Sequence, residues 1–395
     1  MRITGEGVAM RVLLTGGAGY IGSNVLASLR DAGHSVTAVV RNANAQRAVA
    51  LAGVQPLGGD IGDSRWLVEV LREHDGAIHA AAAHTRSGVA SDHAFANAVA
   101  TAFAGTSKPF VHTSSVWVYG SGSAIVDAAP TLLESPWAWR MGVHQYLQDR
   151  GVSVMTITPG MVYGQGRGLP NVLIAHAAVS RSGVVKLIGD GTQRWMSVHV
   201  EDLADLYLRV FTEGQPGRYY LGVAPQADTA LELMRAATRT AGIDCSLRPG
   251  DEFDALARFG DELGAGLLLD QTPHPIQRGW DELAWVPAAP SLLEEITFGK
   301  YPNGPCRTVR LRGRYLSVSA IGVGCPMAAA RRDVVGRHSP TPHSHATGQE
   351  RTSTGPGPPA HVTQGTGQRV PRCGSDVRGP SLARASLLLP PWHRP

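Results

Sequence analysis

Three glycines near the start of the chain have the spacing of a turn that binds phosphate groups. The apolar segment "RVLLT" at 11–15 runs directly into "GGAGYIGSNVL", which places Gly16, Gly19 and Gly22 at intervals of three residues. Glycine suits such a strand-to-helix turn because the chain turns tightly, a pyrophosphate approaches the backbone, and the helix packs closely on the strand. The N–H groups and the dipole of the helix N-terminus favour negative charge. We therefore predict that this turn binds a dinucleotide.

Two charged residues after later apolar segments indicate which dinucleotide binds. The segment "SVTAVV" is followed by Arg41, and an arginine at this place accommodates the 2′-phosphate of NADP, whereas an acid would bind the 2′-hydroxyl of NAD. A solvated surface arginine is the alternative. In "GGDIGD", Asp60 follows another short strand, where its carboxylate can accept a hydrogen bond from the adenine amino group. NADP(H) is the favoured cofactor, with NAD(H) as the alternative.

Apolar segments alternate with helical patterns and so predict the architecture that holds this turn. The predicted strands are 11–15, 35–40, 77–80, 110–114 and 152–158, and the predicted helices are 21–33, 64–74, 91–105 and 139–151. Alternating strands and helices imply a parallel sheet with helices on both faces, and such sheets bind ligands beyond the carboxyl ends of their strands. The expected fold class is α/β, with a doubly wound, Rossmann-type parallel sheet.

Six motifs in order resemble the extended short-chain dehydrogenase/reductase superfamily, in its NAD-dependent epimerase/dehydratase family. They are "TGGAGYIGS", "GDIGD", "AIHAAA", "FVHTSSVWVYG", "TPGMVYGQG" and "DGTQRWMSVHVEDLADLY", within residues 10–301. The resemblance implies a dinucleotide-binding domain, placed at 10–165, and a smaller C-terminal substrate domain at 166–301 that also holds remaining sheet elements. It assigns the cofactor contacts to Gly16, Gly19, Tyr20, Ile21, Gly22, Arg41, Asp60, Ile61, Ala80, Ala81 and Ala82.

The acid-base residues expected in that family are only partly present. In such enzymes a serine or threonine contacts the substrate oxygen, a tyrosine exchanges a proton with it, and a lysine four residues later binds the nicotinamide ribose. Hydride transfer at a carbon requires proton transfer at the attached oxygen. Ser115, five residues before Gly120, matches the serine, although a serine that satisfies a strand end is the alternative. No tyrosine lies four residues before any of the three lysines, Lys108, Lys186 and Lys300.

The helix predicted over 139–151 offers an arginine instead of the lysine. Aligned on "HQYLQDRG", Arg140 takes the lysine position and Pro136 the tyrosine position; aligned on the aromatic residue, Trp137 and Met141 take them. Neither alignment provides a phenol. An arginine keeps the positive charge and the donors for ribose hydroxyls but cannot exchange a proton. We therefore predict Arg140 as a cofactor contact and, together with Ser115, as a catalytic residue.

Tyr146 imitates the missing pair, because it precedes Arg150 by four residues. It lies about 9 Å beyond Arg140 along a helix that rises 1.5 Å per residue. We expect Tyr146 to pack or to lie at the surface.

Other candidate proton donors are His84, Tyr163 and His144, by location only, with packing as the alternative for each. His79 and His112 lie on predicted buried strands. We expect these two to be core histidines with satisfied hydrogen bonds.

The substrate side is less well defined by sequence. Where sugar-nucleotide members of the family have an arginine that binds diphosphate, "QRWMSVHVEDLA" has Trp195, with Arg194 adjacent. Diphosphate recognition is therefore in doubt, and a smaller apolar pocket lined by this segment is the alternative. Asp202 begins a helix, where an acid favours the dipole, and a structural cap is its simpler interpretation.

Residues 302–395 differ in composition from the rest of the chain. They hold half of the 26 prolines and a net charge of +10, whereas residues 1–301 have a net charge of −6. No useful helix or strand pattern occurs in them, and we expect a disordered or non-native tail, such as a reading frame extended past a lost stop would give. The four cysteines show neither a disulfide framework nor metal-ligand spacing, so no metal site is expected.

The mildly acidic body argues against a nucleic-acid partner, and no run of 18 apolar residues indicates a membrane span. We expect a cytoplasmic protein with a small-molecule substrate, with a homodimer as the assembly considered. The leading function is an NAD(P)-dependent oxidoreductase or epimerase/dehydratase-like enzyme with nonstandard acid-base residues, acting on a small carbonyl, hydroxyl or sugar-derived substrate. The alternative is an NADP(H)-binding regulatory or sensor protein without turnover.

Overall fold

The computed structural model describes residues 8–81, 86–128, 137–178 and 183–301, with the backbone alone for 86–88. Its strands are β1 (Arg11–Thr15), β2 (Ser35–Val40), β3 (Gln55–Gly58), β4 (Gly76–His79), β5 (Pro109–Thr113), β6 (Gly122–Ile125), β7 (Ser153–Pro159), β8 (Met161–Gly164), β9 (Arg167–Gly168), β10 (Val184–Lys186), β11 (Arg194–His199), β12 (Tyr219–Gly222), β13 (Ala227–Thr229), β14 (Ser246–Arg248) and β15 (Gln271–Pro273). Its helices are α1 (Tyr20–Asp31), α2 (Ala43–Leu51), α3 (Ser64–Arg72), α4 (Arg86–Phe103), α5 (Trp139–Gln148), α6 (Leu169–Ala178), α7 (Val200–Glu213), α8 (Ala230–Thr240), α9 (Glu252–Phe259), α10 (Asp261–Leu267), α11 (Arg278–Leu283) and α12 (Leu292–Phe298), with a 3-10 helix at Val116–Tyr119. The predicted positions Ala82, His84 and Pro136 and the predicted tail at 302–395 lie outside the described residues.

Seven parallel strands form the main sheet, in the order β12-β7-β5-β4-β1-β2-β3. The strand β1 lies between β4 and β2, with Leu13 opposite Ala77 on one side and Thr37 on the other. The strand order reverses at β1, so a crevice opens where β1 and β4 end. We call the row of strand ends on this side the carboxyl edge. The predicted doubly wound α/β fold is confirmed.

Helices cover both faces of the main sheet. Apolar residues of α1 and α7 pack with Leu14 of β1 in one core cluster, and residues of α3, α4 and α5 pack with Leu13 in another. Successive side chains of a strand point to opposite faces of the sheet. Because helices cover both faces, the residues of β1 from Val12 to Thr15 are all buried. None of the helices in the described ranges has the length and apolar character needed to cross a membrane.

A further apolar core lies in the C-terminal half of the described chain. Helices α6, α8, α9, α10 and α12 pack around Trp195 of β11 and Tyr163 of β8. The strands here form a four-stranded sheet, β13-β11-β8-β9, and a pair, β10-β14. The helix α7 and the strand β12 come from the same half but complete the main sheet and its helical layer. The domain boundary between residues 165 and 166 stays a prediction.

Candidate functional site

The glycine turn connects β1 to α1 at the middle of the carboxyl edge. Gly16 has a φ of +77°, and a Cβ there would lie 2.6 Å from the carbonyl oxygen of Ala80, just after β4. A Cβ on Gly22 would lie 2.1 Å from the carbonyl oxygen of Gly16, which also accepts the N–H of Gly19 at 2.7 Å. No side chain caps α1, so the first N–H groups of that helix are not used by a cap. The turn therefore has the shape and the donors of an anion cradle.

Tyr20 and Ile21 contribute their backbone to this turn and turn their side chains into the protein. The hydroxyl of Tyr20 donates to the carbonyl oxygen of Gly164 at 2.8 Å, and the Arg167 guanidinium lies 4.8 Å from its ring centroid. Ile21 packs against the core beneath α1. Any contact of these two residues with phosphate would therefore come from their N–H groups.

Arg41, Asp60 and Ile61 follow two neighbouring strands on one side of the turn. Arg41 follows β2, is exposed, and makes no hydrogen bond within the described ranges. Asp60 follows β3, is exposed, and accepts the N–H of Gly62 at 2.9 Å. Ile61 packs against the core under α3 and α4. The structure thus brings the predicted adenosine-side residues to one end of the carboxyl edge.

Ala80 and Ala81 follow β4 and lie against Gly16 from the other side. The N–H of Ala80 donates to the carbonyl oxygen of Thr15 at 3.3 Å, and the N–H of Ala81 donates to the Thr15 hydroxyl at 3.4 Å. This contact joins the ends of β1 and β4. The loop predicted to lie under the cofactor is therefore tied directly to the glycine turn.

Ser115 lies two residues after β5, and Arg140 contacts the last residue of that strand. The Ser115 Oγ accepts the N–H of Trp117 at 3.3 Å, which leaves its own hydroxyl hydrogen for another acceptor. Arg140, on α5, is 4% exposed, and its Nη1 donates to the carbonyl oxygen of Thr113, two residues before Ser115, at 3.1 Å. Its guanidinium carbon lies 4.5 Å from the ring centroid of Trp139. Within the described ranges the Nε and Nη2 groups of Arg140 make no hydrogen bond, so these donors remain for a ligand.

The alternative alignment of α5 places aromatic and sulfur-containing residues rather than acids at this position. Trp137 is buried and its ring centroid lies 5.1 Å from that of Trp117. Met141 is half-buried on the same helix. Neither side chain exchanges protons, so the structure leaves Arg140 as the charged residue of α5 at this end of β5.

The two described candidates for the proton donor, Tyr163 and His144, and Tyr146, which imitates the missing pair, form hydrogen bonds with other parts of the protein. The hydroxyl of Tyr163 donates to the carbonyl oxygen of Pro290 at 2.7 Å. The Nδ1 of His144 lies 2.7 Å from the Thr156 hydroxyl, and burial lowers the pKa of this histidine to about 4. Tyr146 donates to the Oδ1 of Asn97 at 2.5 Å. Packing accounts for all three.

His79 and His112 lie side by side in the sheet but differ in their hydrogen bonds. The Nδ1 of His79 lies 2.7 Å from the hydroxyl of Thr15, and its Nε2 lies 3.1 Å from Oδ1 of Asp92 on α4. Neither ring nitrogen of His112 has a hydrogen-bond partner in the described part of the chain. The expectation of a satisfied His112 is therefore wrong, because its neighbours on this face are mostly apolar or aromatic. Burial lowers the pKa of His112 well below its ordinary value.

A buried phenol that the sequence did not single out also contacts β5. The hydroxyl of Tyr207, on α7, lies 2.6 Å from Oγ1 of Thr113, which donates to the carbonyl oxygen of His79 at 2.7 Å. Burial raises the pKa of Tyr207. The sequence signal was partial: β1, β4 and β5 each end in a polar residue, Thr15, His79 and Thr113, but nothing local indicates that α7 packs against them.

The residues predicted on the substrate side mostly have structural roles. Arg194 forms an ion pair with Asp270, with its Nη2 3.1 Å from Oδ2. Trp195 is 1% exposed and donates its indole N–H to Leu267, so it is part of the core and does not line a pocket. The carboxylate of Asp202 accepts the N–H groups of Ala288 and Ala289 at 3.1 Å each, so it holds the segment after α11 in addition to lying in the first turn of α7.

No group of three or more His, Cys, Asp and Glu side chains in the described ranges is placed to hold a metal ion. The candidate site therefore consists of the glycine turn, the charged residues at the strand ends, Ser115 and Arg140.

The family described as the NAD dependent epimerase/dehydratase family matches residues 12–222. Uncharacterized protein YLL056C of Saccharomyces cerevisiae is 28% identical over 301 residues, which cover 73% of this chain and 98% of that protein. The 4-hydroxy-2-methyl-3-oxo-4-farnesyl-3,4-dihydroquinoline-1-oxide ketoreductase of Stigmatella aurantiaca is 32% identical over 281 residues, 66% of this chain and 82% of that protein. The UDP-glucose 4-epimerase of Thermus thermophilus, solved in complex with NAD, has the same fold with a TM-score of 0.56, at 20% identity over 73% of this chain and 97% of that one.

Proposed function

The chain belongs to the NAD dependent epimerase/dehydratase family, and on that premise we propose that it is an NADP(H)-preferring oxidoreductase of a neutral carbonyl or hydroxyl compound. The observation that carries the proposal is that the buried Arg140 donates to the last residue of β5, two residues before Ser115. Ser115 supplies a hydroxyl hydrogen and Arg140 supplies positive charge with unused donors. Both are what a carbonyl oxygen needs when it becomes negatively charged.

The glycine turn and the neighbouring strand ends fit a dinucleotide. The missing side chains of Gly16 and Gly22 allow backbone contacts that a Cβ would prevent, and the N–H groups at the start of α1 would hold the pyrophosphate. Arg140 would hold the nicotinamide ribose through its Nε and Nη2 donors. Arg41 lies at the strand end where an arginine accommodates a 2′-phosphate, which supports NADP(H) over NAD(H).

The reduced cofactor, when bound, supplies a hydride to the carbonyl carbon of the substrate. The Ser115 hydroxyl would donate its hydrogen to the substrate oxygen, and the buried Arg140 guanidinium would stabilise the negative charge that develops there. Burial lowers the pKa of Arg140, but a guanidinium remains protonated in proteins. The proton that Ser115 gives must therefore be replaced from solvent, and we expect a slow chemical step.

A neutral substrate is favoured over a nucleotide diphosphate by the pairing of two cations of the C-terminal half, one of which is Arg194 in the motif where sugar-nucleotide members of the family bind diphosphate. Arg194 is paired with Asp270, and Lys186 contacts both carboxylate oxygens of Asp254 at 2.7 and 2.8 Å. A diphosphate would have to compete with these carboxylates. The similarity to a protein named as a ketoreductase supports the same choice. A sugar-derived substrate is the second class to be tested.

The experiment is a titration of the purified full-length chain with NADPH and NADH, followed by NADPH oxidation with acetophenone and cyclohexanone and by NADP⁺ reduction or epimerisation with UDP-glucose. We expect tighter binding of NADPH than of NADH, and slow oxidation with a ketone. If UDP-glucose is oxidised or epimerised and neither ketone is reduced, the proposed substrate class changes from a ketone to a sugar. Saturable NADPH binding without turnover of any compound would support a cofactor-binding regulatory protein, which the missing tyrosine and lysine favour. Absence of binding would overturn the proposal.

A further inference from the structure

Tyr301, the last residue that the structure describes, places its hydroxyl in the bend between β8 and β9, residues 164–167. This hydroxyl accepts the N–H of Gly164 at 2.9 Å and donates to the carbonyl oxygen of Arg167 at 2.7 Å. Gly164 and Arg167 lie opposite each other where β8 pairs with β9. A Cβ on Gly166 would lie 2.9 Å from the carbonyl oxygen of Lys300, so the backbone before Tyr301 also lies against the bend. One phenol therefore holds both ends of the bend.

The same bend contacts the start of α1, next to the glycine turn. The hydroxyl of Tyr20 donates to the carbonyl oxygen of Gly164 at 2.8 Å, and the guanidinium of Arg167 lies over the Tyr20 ring. Tyr20 is the first residue of α1, directly after the N-cap residue Gly19. Gly164 is thus held from two sides, because Tyr301 binds its N–H and Tyr20 binds its carbonyl oxygen.

The directions of these hydrogen bonds follow from the groups themselves. A backbone N–H only donates and a carbonyl oxygen only accepts, so the Tyr301 oxygen accepts from Gly164 and its hydrogen points to Arg167. For the same reason the hydroxyl hydrogen of Tyr20 points to Gly164. Burial raises the pKa of both phenols, so each keeps its hydrogen. Tyr20 and Tyr301 are 7% and 4% exposed, and removal of either hydroxyl would leave buried backbone groups without their partners.

The bend also needs its surroundings to keep its shape. Gln165 has a left-handed backbone with a φ of +55°, which is unfavourable for a residue with a Cβ. The Gln165 side chain contacts Asn24 of α1 at 2.8 Å and Glu201 of α7 at 2.9 Å, but these contacts lie at the surface, where water competes for them. The buried hydroxyls of Tyr20 and Tyr301 are therefore the stronger restraints on the bend.

We propose that Tyr301 is a positioning residue of the dinucleotide site, which acts through Gly164 and Tyr20 on the first turn of α1. The N–H groups of that turn are the donors proposed for the pyrophosphate, and Tyr20 carries one of them. The proposal rests on the proposed function, because it concerns the affinity for the cofactor. It gives a role in the site to a residue that lies outside the family match at 12–222.

The test compares Tyr301→Phe, Tyr20→Phe and the double variant, each in the full chain, by titration with NADPH. Phenylalanine keeps the ring and removes only the hydroxyl. We expect Tyr301→Phe to weaken NADPH binding by about 10-fold, because the released bend leaves α1 in its binding arrangement for only about a tenth of the time. Tyr20→Phe should have a similar effect. The double variant should bind about as weakly as each single variant, since both hydroxyls act through Gly164, and losses of affinity that multiply would contradict this.

A second ligand separates positioning from general damage to the fold. Adenosine 2′-monophosphate lacks the pyrophosphate, so it does not need the first turn of α1. Its affinity, measured by competition with NADPH, should be the same in Tyr301→Phe and in the unaltered protein. An equal loss of affinity for both ligands would assign Tyr301 to general stability and overturn the proposal.

Tyr220 of β12 is the matched control. It is buried, its hydroxyl accepts the N–H of Gln215 at 2.9 Å and lies 3.2 Å from Oε2 of Glu282, and β12 is an outer strand of the main sheet. Tyr220→Phe and Tyr301→Phe should each lower the thermal midpoint by roughly 3 to 10 °C, but only Tyr301→Phe should weaken NADPH binding.

The outcomes for the proposed function and for Tyr301 are distinct. If the unaltered protein binds NADPH and Tyr301→Phe binds it equally well, the role of Tyr301 is refuted and the proposed function stands. If the unaltered protein binds neither NADPH nor NADH, the proposed function fails, and the role of Tyr301 fails with it.

Discussion

The turn from Gly16 to Gly22 and the first turn of α5 both serve the carboxyl edge, but their residues are constrained in different ways. In the glycine turn, a single added carbon would lie 2.1 to 2.6 Å from backbone atoms at positions 16 and 22. In α5, Gly142 has no atom within 4 Å of its missing Cβ. Contact with backbone atoms therefore decides which residues fit in the glycine turn. In α5, side-chain packing and chemistry mainly decide which residues fit.

This difference explains how the cofactor half of the site can persist while the acid-base half changes. Loss of a glycine from the turn disturbs the fold itself. The family resemblance places a tyrosine and a lysine on this helix, and other side chains in their place would cost only chemistry, provided that they pack. Arg140 on α5 is buried against the end of β5, and Trp137, just before α5, is buried against Trp117 of the 3-10 helix.

The sharpest test of this comparison is the same substitution in both regions. Gly22→Ala should abolish NADPH binding and destabilise the protein by roughly 2 to 3 kcal/mol, because its methyl group would overlap the carbonyl of Gly16. Gly142→Ala should stabilise the protein by about 0.5 to 1 kcal/mol, because alanine is the better helix former. Denaturant unfolding and NADPH titration measure both effects. Equal outcomes for the two variants would remove the proposed distinction.

The next largest effect concerns Ser115. Ser115→Ala should lower turnover by roughly 100-fold, since it removes a hydrogen-bond donor to the developing charge, and should leave NADPH affinity unchanged. Ser114→Ala is the matched control, because the buried Ser114 hydroxyl has no hydrogen-bond partner among the described residues. Steady-state kinetics and cofactor titration separate the two. Loss of both turnover and binding in Ser115→Ala would assign this serine to structure alone.

The sequence was sufficient for the parts of the molecule that are set by local rules. Five of the seven strands of the main sheet follow from apolar runs, and the turn at Gly16 follows from glycine spacing, because both depend on neighbours in the chain. The contacts of Asp92 and Tyr207 depend on the strand order, which places the ends of β1, β4 and β5 next to one another. The sequence does not state that order.

Roles on the substrate side were harder to predict for a related reason. Trp195 lies at the position where sugar-nucleotide members of the family bind diphosphate, and Tyr163 is a candidate proton donor by its location in the sequence, but both pack in the core of the C-terminal half. Asp202 was expected to act on its own helix, yet its carboxylate holds a segment 86 residues away in sequence. Long-range packing of this kind leaves no periodic signal in the chain.

A smaller effect is expected at the adenosine end of the carboxyl edge. Arg41→Asp should weaken NADPH binding about 10- to 100-fold by removing a charge-assisted contact to the 2′-phosphate, with much less change for NADH. The control is Arg47→Asp on α2, where the arginine contacts Asn44 and not the strand end. Competitive titration with both cofactors measures the ratio. An unchanged preference would refute the role of Arg41 and shift the cofactor to NAD(H).

The smallest effect is a pH dependence that belongs to the α5 side of the comparison, since the turn from Gly16 to Gly22 contains no histidine. Burial lowers the pKa of His144 from 6.5 to about 4, so the unfolded chain binds more protons between these pH values. The stability contributed by neutral His144 is complete above pH 6.5 and is lost as the pH falls toward 4. At pH 5.5 the loss is about 1.4 kcal/mol.

His144→Gln tests this assignment, because glutamine can keep the hydrogen bond to Thr156 but does not titrate. Denaturant unfolding at pH 7.5 and pH 5.5 should show a fall in stability that is smaller in the variant than in the unaltered protein by about 1.4 kcal/mol. His112, which burial also shifts to a lower pKa, is unchanged in both proteins. Its contribution therefore cancels in the difference. An identical fall in the two proteins would place the acid sensitivity at His112 or elsewhere and would separate it from α5.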